Sequence, residues 1–325
     1  MNQLQRLRFG MLHGLAALLI AALVLPGTAL AQQNDEEREY EDLALTGDNV
    51  CTRCHDDADN PRLMTIGRTK HGTRADARTP TCTDCHGESR GHLDNPDGGD
   101  VRPVPDVIYT KNSRNSPAQQ NQACVGCHQG GQQMHWAGSI HNARDVACIA
   151  CHDVHTDHDP VLSKKTQPAV CFACHKDKRA QISKPYRHPL LEGQMACSDC
   201  HNAHGSAGPK LMKRDSVLDT CFQCHMEKRG PNIWNHQPVT EDCTICHNPH
   251  GTTVDKMLKV RVPFLCQQCH EQGHRTRTPA VGPGTGGGGQ TSINVTMARG
   301  CLNCHTNIHG GNNPTNNAAS RSFRR

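Results

Sequence analysis

Apolar residues form one long run near the N-terminus and are scattered along the rest of the chain. The run, LAALLIAALVL, extends from Leu15 to Leu25, and no later segment is apolar over a length that would span a bilayer. Mean hydropathy is −0.67, and 29 Gly and 19 Pro interrupt the sequence. The pattern therefore predicts short helices joined by coil rather than long helices or a sheet.

Residues 1–31 have the three-part pattern of a signal peptide. Arg6 and Arg8 precede the apolar run, and small residues ending at Ala31 follow it. A retained membrane anchor is the alternative, but the run is shorter than the ~20 residues that cross a bilayer. We expect cleavage near Gln32 and export to the periplasm.

The composition excludes an ordinary globular enzyme. Only 35% of the residues are hydrophobic and 3% are aromatic, which is too little to build an apolar core for 325 residues. The net charge of +4 is small and unclustered, and so few aromatic rings offer no stacking platform for bases, so we expect no nucleic-acid interface. Something other than side chains must fill the interior.

All 20 cysteines belong to CxxCH motifs. Two thiols three positions apart can add to the two vinyl groups of one haem while the next residue, His, binds the iron, so CxxCH is the attachment motif of c-type haem. Zinc sites and redox disulfides also use CxxC pairs, but neither requires a His at the same following position ten times. We therefore predict ten covalently bound haems c that form the core, with a thin polypeptide around them. The motifs are Cys51/Cys54/His55, Cys82/Cys85/His86, Cys124/Cys127/His128, Cys148/Cys151/His152, Cys171/Cys174/His175, Cys197/Cys200/His201, Cys221/Cys224/His225, Cys243/Cys246/His247, Cys266/Cys269/His270 and Cys301/Cys304/His305.

The remaining histidines match the number of second axial positions. The chain has 23 His; His13 lies in the predicted signal peptide and ten belong to the motifs, so twelve remain for ten irons. Consecutive motifs pair into five two-haem repeats, numbered 1 to 5, in which an intervening histidine lies between the motifs and a closing histidine follows the second motif. The intervening histidines are His71, His141, His188, His236 and His274, and the closing histidines are His92, His155, His204, His250 and His309.

Two histidines, His135 and His158, are left over. His141 is preferred to His135 because it precedes the next motif by seven residues, as His236 does in repeat 4. His155 is preferred to His158 because CHDVH matches the CHNAH and CHNPH of repeats 3 and 4. The spacing thus predicts two histidine ligands at every iron.

A closing histidine cannot bind the haem of its own motif. Two histidines on opposite faces of one iron have Cα atoms on the order of 12 Å apart, whereas a three-residue span reaches only ~10 Å. We expect His155, His204 and His250 to bind a neighbouring haem, most simply the first haem of the same repeat. Repeat 5 is irregular, because His274 follows His270 by four residues and a GPGTGGGG stretch precedes the last motif, so His274 and His309 fit the pattern least well.

Irons with two histidine ligands have no open position for a substrate, so the sequence predicts electron transfer rather than catalysis. Three other hypotheses remain. A soluble periplasmic electron shuttle or store needs no fixed partner, and a multihaem reductase would need one open haem site. An outer-surface decahaem cytochrome would be longer and would usually carry a lipoprotein Cys.

The chain resembles the periplasmic decahaem cytochromes of the MtrA/DmsE/PioA type. The resemblance covers the exported part and includes the ten CxxCH motifs, TKHG followed by TPTCTDCHGESRGH, the CHNAHG and CHNPHG units, and the basic end SRSFRR. It implies an elongated multihaem fold inserted into an outer-membrane β-barrel porin of the MtrB/PioB type. Electrons would pass between a periplasmic or inner-membrane cytochrome and the cell exterior, where an outer-surface multihaem cytochrome is a further partner.

The resemblance also implies a division into two pentahaem halves. We predict a signal peptide at 1–31, an N-terminal segment at 32–50, one half at 51–180 and the other at 181–325, with a Gly-rich loop at 281–289.

Overall fold

A computed structural model describes residues 48–73, 78–110, 112–270, 301–315 and 323. The predicted signal peptide, the Gly-rich loop at 281–289 and the predicted ligand His274 lie outside the described residues.

The helices of the described residues are short, and the longest of them, α5 at Pro117–Val125, has nine residues. Helix α5 begins where Ser116 and Gln119 form a capping box and Pro117 occupies the first helical position, a combination that satisfies two free amide groups of the first turn. Several helices coincide with CxxCH motifs. The α-helices are α1 Asn49–Thr52, α2 Pro61–Met64, α3 Cys82–His86, α4 Arg90–Asp94, α5 Pro117–Val125, α6 Gln167–Phe172, α7 Lys176–Ile182, α8 Cys197–Cys200, α9 Val217–Cys221, α10 Gln237–Glu241, α11 Phe264–Gln267 and α12 Cys301–Cys304.

Single turns of 3-10 helix and coil join these helices. The 3-10 turns are Thr65–Arg68, Gly131–Gln133, Asn142–Arg144, Cys148–Ala150, Pro209–Leu211, Met226–Lys228, Cys243–Ile245 and Asp255–Met257. Within the described ranges β-structure is limited to four isolated bridges. The prediction of short helices joined by coil is confirmed.

Little apolar side chain is buried. The described hydrophobic core is one cluster of Phe172, Ile182 and Leu190, against which Met195 and Cys197 pack. A domain of this size normally buries most of its surface around a much larger core. None of the helices in the described part of the chain is long and apolar enough to cross a membrane.

The chain divides into two compact units, Met1–Thr83 and Asp84–Arg325. In the first unit, buried Asp48 accepts a hydrogen bond from the Cys82 amide and so ties the segment before the first motif to the start of the second. The division into halves at residues 180 and 181 concerns haem content and stays a prediction.

In repeats 3 and 4 of the second unit, the loops after the second motif have the same hydrogen bonds. In repeat 3 the Asn202 amide donates to the Leu211 carbonyl at 2.8 Å, and the Lys213 amide donates to the Cys200 carbonyl at 2.9 Å. The corresponding bonds in repeat 4 join Asn248 to Met257 at 2.9 Å and Lys259 to Cys246 at 2.9 Å. The structure therefore reproduces the period of the sequence at this loop.

Candidate haem-binding sites

Each CxxCH motif folds into one helical turn. The amide of the motif histidine donates to the carbonyl of the first cysteine, from His55 to Cys51 at 3.1 Å through His305 to Cys301 at 2.9 Å, and His86 ends helix α3 in the same way. One turn brings residues three and four apart to the same side. Both thiols and the imidazole of a motif can therefore reach a single haem.

The first motif of each repeat lies at the protein surface rather than in a buried site. Its second cysteine is exposed in all five repeats, and its histidine is exposed in repeats 2 to 5. In repeats 3 and 4 the loop after the second motif folds back and hydrogen-bonds to the Cys200 and Cys246 carbonyls of that motif. After the first motifs of these repeats the chain continues directly into α7 and into the 3-10 turn Met226–Lys228. Burial by side chains therefore does not identify these haem-site residues, and Cys151 of a second motif is exposed as well. The exposed residues of the first motifs are Cys54, Cys127, Cys174, Cys224 and Cys269 with His128, His175, His225 and His270.

Within each repeat, the first cysteines of the two motifs are in contact. In repeat 2 the Cys124 and Cys148 thiols share a hydrogen bond, which lowers the pKa of Cys124 and raises that of Cys148. None of the described cysteines forms a disulfide, so these side chains remain available for haem attachment. The contacting pairs are Cys51 and Cys82, Cys124 and Cys148, Cys171 and Cys197, Cys221 and Cys243, and Cys266 and Cys301.

Between repeats, the second cysteines approach each other. Burial raises the pKa of Cys151, and nearby Cys171 and Cys174 of the next repeat raise it further. Cys200 and Cys246 have the same relation to Cys224 and Cys269. The motifs thus meet alternately at their first and second cysteines.

Tyr109 lies between repeats 1 and 2. Its hydroxyl donates to the Cys85 carbonyl at 2.6 Å. Burial raises the pKa of Tyr109, and the nearby Cys85, Cys124 and Cys148 raise it further. Tyr109 therefore adjoins the second motif of repeat 1 and both motifs of repeat 2.

Seven pairs of histidine rings face one another at nearly constant spacing. Their centroids are 6.0 to 6.3 Å apart, while the angle between ring planes varies from 10° to 77°. A metal bound in line between two imidazoles, with bonds of about 2.0 to 2.1 Å, separates the ring centroids by roughly 6.4 Å. The spacing fits one iron between each pair. The pairs are His86 and His155, His141 and His175, His152 and His204, His188 and His225, His201 and His250, His236 and His270, and His247 and His309.

The ring pairs follow one rule, which differs from the sequence prediction. A closing histidine faces the second motif histidine of the preceding repeat, as His204 faces His152. An intervening histidine faces the first motif histidine of the following repeat, as His141 faces His175. The expectation that His155, His204 and His250 bind the first haem of their own repeat is wrong.

A recurring hydrogen bond between repeats explains this arrangement. The Nδ1 atom of an intervening histidine bonds to a main-chain carbonyl of the following repeat, that of the residue before the closing histidine. The three bonds join His141 to Ala203 at 2.7 Å, His188 to Pro249 at 2.8 Å, and His236 to Ile308 at 3.1 Å. The bond holds the closing histidine of each repeat beside the preceding repeat. It also leaves Nε2 of the intervening ring available for a metal.

The glycine that follows a closing histidine permits this close approach. Gly251, after His250, has φ of +132°, and a Cβ atom there would lie 2.5 Å from the Gln181 carbonyl oxygen. Gly205, after His204, has φ of +113° and packs against the His135 carbonyl. His135 thus contributes its main chain to the docking of repeats, and the described ring pairs use His141 in its place.

Burial lowers the pKa of several facing rings. His201, His204 and His309 are shifted downward mainly by burial, and His250 is shifted to about 4. Desolvation disfavours the charged imidazolium, so these rings are neutral at pH 7. A neutral imidazole is the form that binds a metal.

The other predicted ligands are placed as follows. The His71 amide donates to Thr69 Oγ1 at 3.2 Å, just after the 3-10 turn Thr65–Arg68. His92 lies in α4, and its Nδ1 bonds to the Pro103 carbonyl at 2.7 Å. The roles of His71, His92 and His274, and of the facing pairs, as iron ligands stay predictions.

A cavity of about 420 Å³ opens beside the Cys221 motif. Phe222 and Met226 give it an apolar side, and Lys213, Arg214 and Arg229 give it a basic side. Asp215 and Asp219 also line the cavity, so only its apolar and basic parts suit the ring and the carboxylates of a haem.

Comparison with known proteins gives an extensive match to one relative, and partial matches to a second relative and to two protein families. The chain is 41% identical to the multihaem cytochrome MtrA of Shewanella baltica over 280 residues, which cover 85% of this chain and 81% of MtrA. It is 26% identical to the cytochrome c-type protein NrfB of Haemophilus influenzae over 160 residues, 44% of this chain and 70% of NrfB. Residues 188–230 and 236–275 match the doubled CXXCH motif family, and residues 82–167 match the NrfB-like cytochrome c-type family.

Proposed function

Because this chain belongs to the family of multihaem c-type cytochromes that includes MtrA, we propose that it relays electrons along ten covalently bound haems, each with two histidine ligands. The chain binds haem c and is an electron-transfer protein, not an enzyme. The observation that carries the proposal is the set of seven ring pairs at 6.0 to 6.3 Å. The haem irons would supply the one-electron chemistry.

The polypeptide fixes both faces of each iron site. The cysteines and histidine of a motif would hold one face from a single helical turn, and a histidine from a neighbouring repeat would hold the other. Two imidazoles avoid the potential-raising methionine ligand and leave no vacant position, so they favour low-potential electron transfer over substrate chemistry.

The contacts between cysteines support a relay in the order of the sequence. First cysteines meet within each repeat, and second cysteines meet from repeat 2 to repeat 5. Tyr109 lies between repeats 1 and 2. Since each thiol marks an attachment edge, neighbouring haems would meet edge to edge from the first motif to the last. Electron tunnelling falls steeply with distance, so such an order makes a continuous path.

We further propose that the relay serves an outer-membrane conduit. In this role the chain would accept electrons from, or deliver them to, a periplasmic or inner-membrane cytochrome, and an MtrB/PioB-type barrel would hold it at the outer membrane. The similarity to MtrA over 85% of the chain supports this role. Extracellular respiration or metal oxidation and reduction would be its physiological setting.

A periplasmic electron carrier without a barrel is the second candidate. The NrfB-like match at residues 82–167 favours it. The two candidates differ in what accompanies the protein in the cell, not in the haem sites.

Purification of the tagged holoprotein in mild detergent, from separated membrane and periplasmic fractions, tests these roles. Haem stain, haem content per chain and co-purifying polypeptides are read together. Recovery with a large outer-membrane barrel supports the conduit. Recovery alone from the periplasm favours the carrier, and a content clearly below ten haems per chain contradicts the relay.

A further inference from the structure

Asp159 gives one motif histidine a different partner from its equivalents. The second motif histidines of repeats 1, 3 and 4 bond through Nδ1 to main-chain carbonyls: His86 to Val107 at 2.9 Å, His201 to Lys210 at 3.0 Å and His247 to Lys256 at 2.8 Å. In repeat 2, His152 Nδ1 bonds to Asp159 Oδ2 at 2.7 Å.

The difference arises from the loop after the motif. In repeats 3 and 4 the accepting lysine lies nine residues after the histidine and has positive φ, 54° at Lys210 and 57° at Lys256. In repeat 2 the loop reads HDVHTDHDP, and the accepting residue Asp159 comes seven residues after His152. In repeat 2 the loop therefore supplies a carboxylate where the equivalent loops supply a carbonyl dipole.

The Asp159 carboxylate is fixed in position. Its side chain is 13% exposed. The other oxygen, Oδ1, accepts from the Val161 amide at 3.3 Å and from the Asp153 amide at 3.5 Å. Its orientation toward His152 is therefore set by the loop backbone.

Glu227 is a second carboxylate near a motif histidine. Glu227 Oε1 is 3.7 Å from His225 Nδ1, which is too long for a hydrogen bond. Those side chains are 59% and 55% exposed, so water screens the pair. Asp159 and His152 are much more closely coupled.

A carboxylate bonded to a ligating imidazole raises the basicity of that imidazole. The more basic ligand donates more charge to the iron and stabilises the ferric over the ferrous state, so the potential falls. The ring opposite His152 adds no matching hydrogen bond, since Nδ1 of His204 is buried without an acceptor. The effect therefore comes from one side of the site.

We propose that Asp159 is a positioning residue that lowers the reduction potential of the haem attached at Cys148 and Cys151 below those at Cys197 and Cys243. This assignment rests on the haem attachment proposed above but not on the outer-membrane role. The fourth haem of the sequence would then be an energetic step within the relay, and electrons would pass it more slowly than they pass its neighbours.

The test is a spectroelectrochemical titration of the ten-haem protein and of its Asp159→Asn variant. Asparagine keeps an oxygen acceptor for His152 and removes the charge. We expect about one tenth of the reduced-haem absorbance to move to higher potential by a tenfold change in the ferric-to-ferrous equilibrium, which corresponds to about 59 mV for one electron. Asp159→Glu, which keeps the charge, should restore much of the original curve.

Asp157→Asn is the matched control, because it removes one carboxylate from an exposed position of the same loop. Haem content is measured for every variant, so loss of a haem is not mistaken for a shift in potential. Superimposable titrations of the original protein and Asp159→Asn, at equal haem content, would overturn the proposal. So would an equal shift in Asp157→Asn.

If the Asp159→Asn substitution prevents attachment of the fourth haem, a measurement on the unmodified protein tests the proposal instead. A more basic ligand strengthens the axial field at the iron. In the electron paramagnetic resonance spectrum of the unmodified protein, the low-spin component from the His152 and His204 site should therefore have a largest g value below that expected for a ring angle of 10°. A spectrum in which every near-parallel ring pair behaves alike would contradict the proposal.

Discussion

Replacement of His250 by alanine removes the ring that faces His201 at a centroid distance of 6.1 Å. A methyl group cannot coordinate iron, so the haem held by His201 loses its second ligand and becomes high-spin. With ten motifs in the chain, we expect about one tenth of the total haem to change spin state. The other nine sites keep both rings.

The assay is electron paramagnetic resonance of the oxidised protein, in which high-spin and low-spin ferric haem give separate signals. His158→Ala is the control, because His158 is exposed and lies outside the seven ring pairs. It should leave the spectrum entirely low-spin. Added imidazole should return His250→Ala to the low-spin state by filling the open position.

A second background identifies the haem that His250 serves. Serine at Cys197 and Cys200 prevents attachment of the haem facing His250, so His250→Ala should add no high-spin signal there. If His250 served the first haem of its own repeat, the signal would persist in this background. That persistence, or a fully low-spin His250→Ala protein, would refute the pairing of closing histidines with the preceding repeat.

Three further outcomes are expected. Gly251→Ala should lower the free energy of unfolding by about 2 to 6 kcal/mol, because φ of +132° and a carbonyl oxygen 2.5 Å from the new Cβ atom both oppose a side chain there. Gly91→Ala, which has open space around its Cβ atom, should leave the thermal midpoint nearly unchanged. Asn121→Ala should cost about 1 to 3 kcal/mol in denaturant unfolding, because its buried side-chain amide donates to the Val146 carbonyl at 3.1 Å and accepts from the Cys148 amide at 2.7 Å, at the start of the second motif of repeat 2; exposed Gln122→Ala should cost little. Of the seven described ring pairs, one stands at 77°, so the low-temperature spectrum should contain a component with an unusually large g value beside components typical of near-parallel rings, and its absence would contradict that ring orientation.

Local features of these sites could be predicted from sequence because they depend on residues close together in the chain. CxxCH closes one helical turn, and the three-residue reach correctly excludes His204 from the haem of its own motif. The choice among neighbouring haems depends on contacts over longer separations, such as the bond from His141 to Ala203 across 62 residues. Chain distance favoured the first haem of the same repeat, but docking between repeats determines the partner.

The loop after the second motif of repeat 2 differs from its equivalents in a residue that histidine spacing does not identify. The HDVHTDHDP loop contains His158, one of the two histidines left over when ten were assigned as second ligands. The residue next to it, Asp159, makes the contact with His152. Counting histidines cannot find such a residue, whereas comparison of the hydrogen-bond partners of equivalent motif histidines does.

The exchange of rings between neighbours constrains how such a chain can change its length. An inner repeat gives one ring to each neighbour and receives one from each, so deleting it brings together neighbours that again supply what each other needs. Loss of an end repeat instead removes a ring that faces a motif histidine of its neighbour, as His309 faces His247. Gain or loss of whole repeats within the interior of the chain is therefore the change that preserves the pattern of ring pairs.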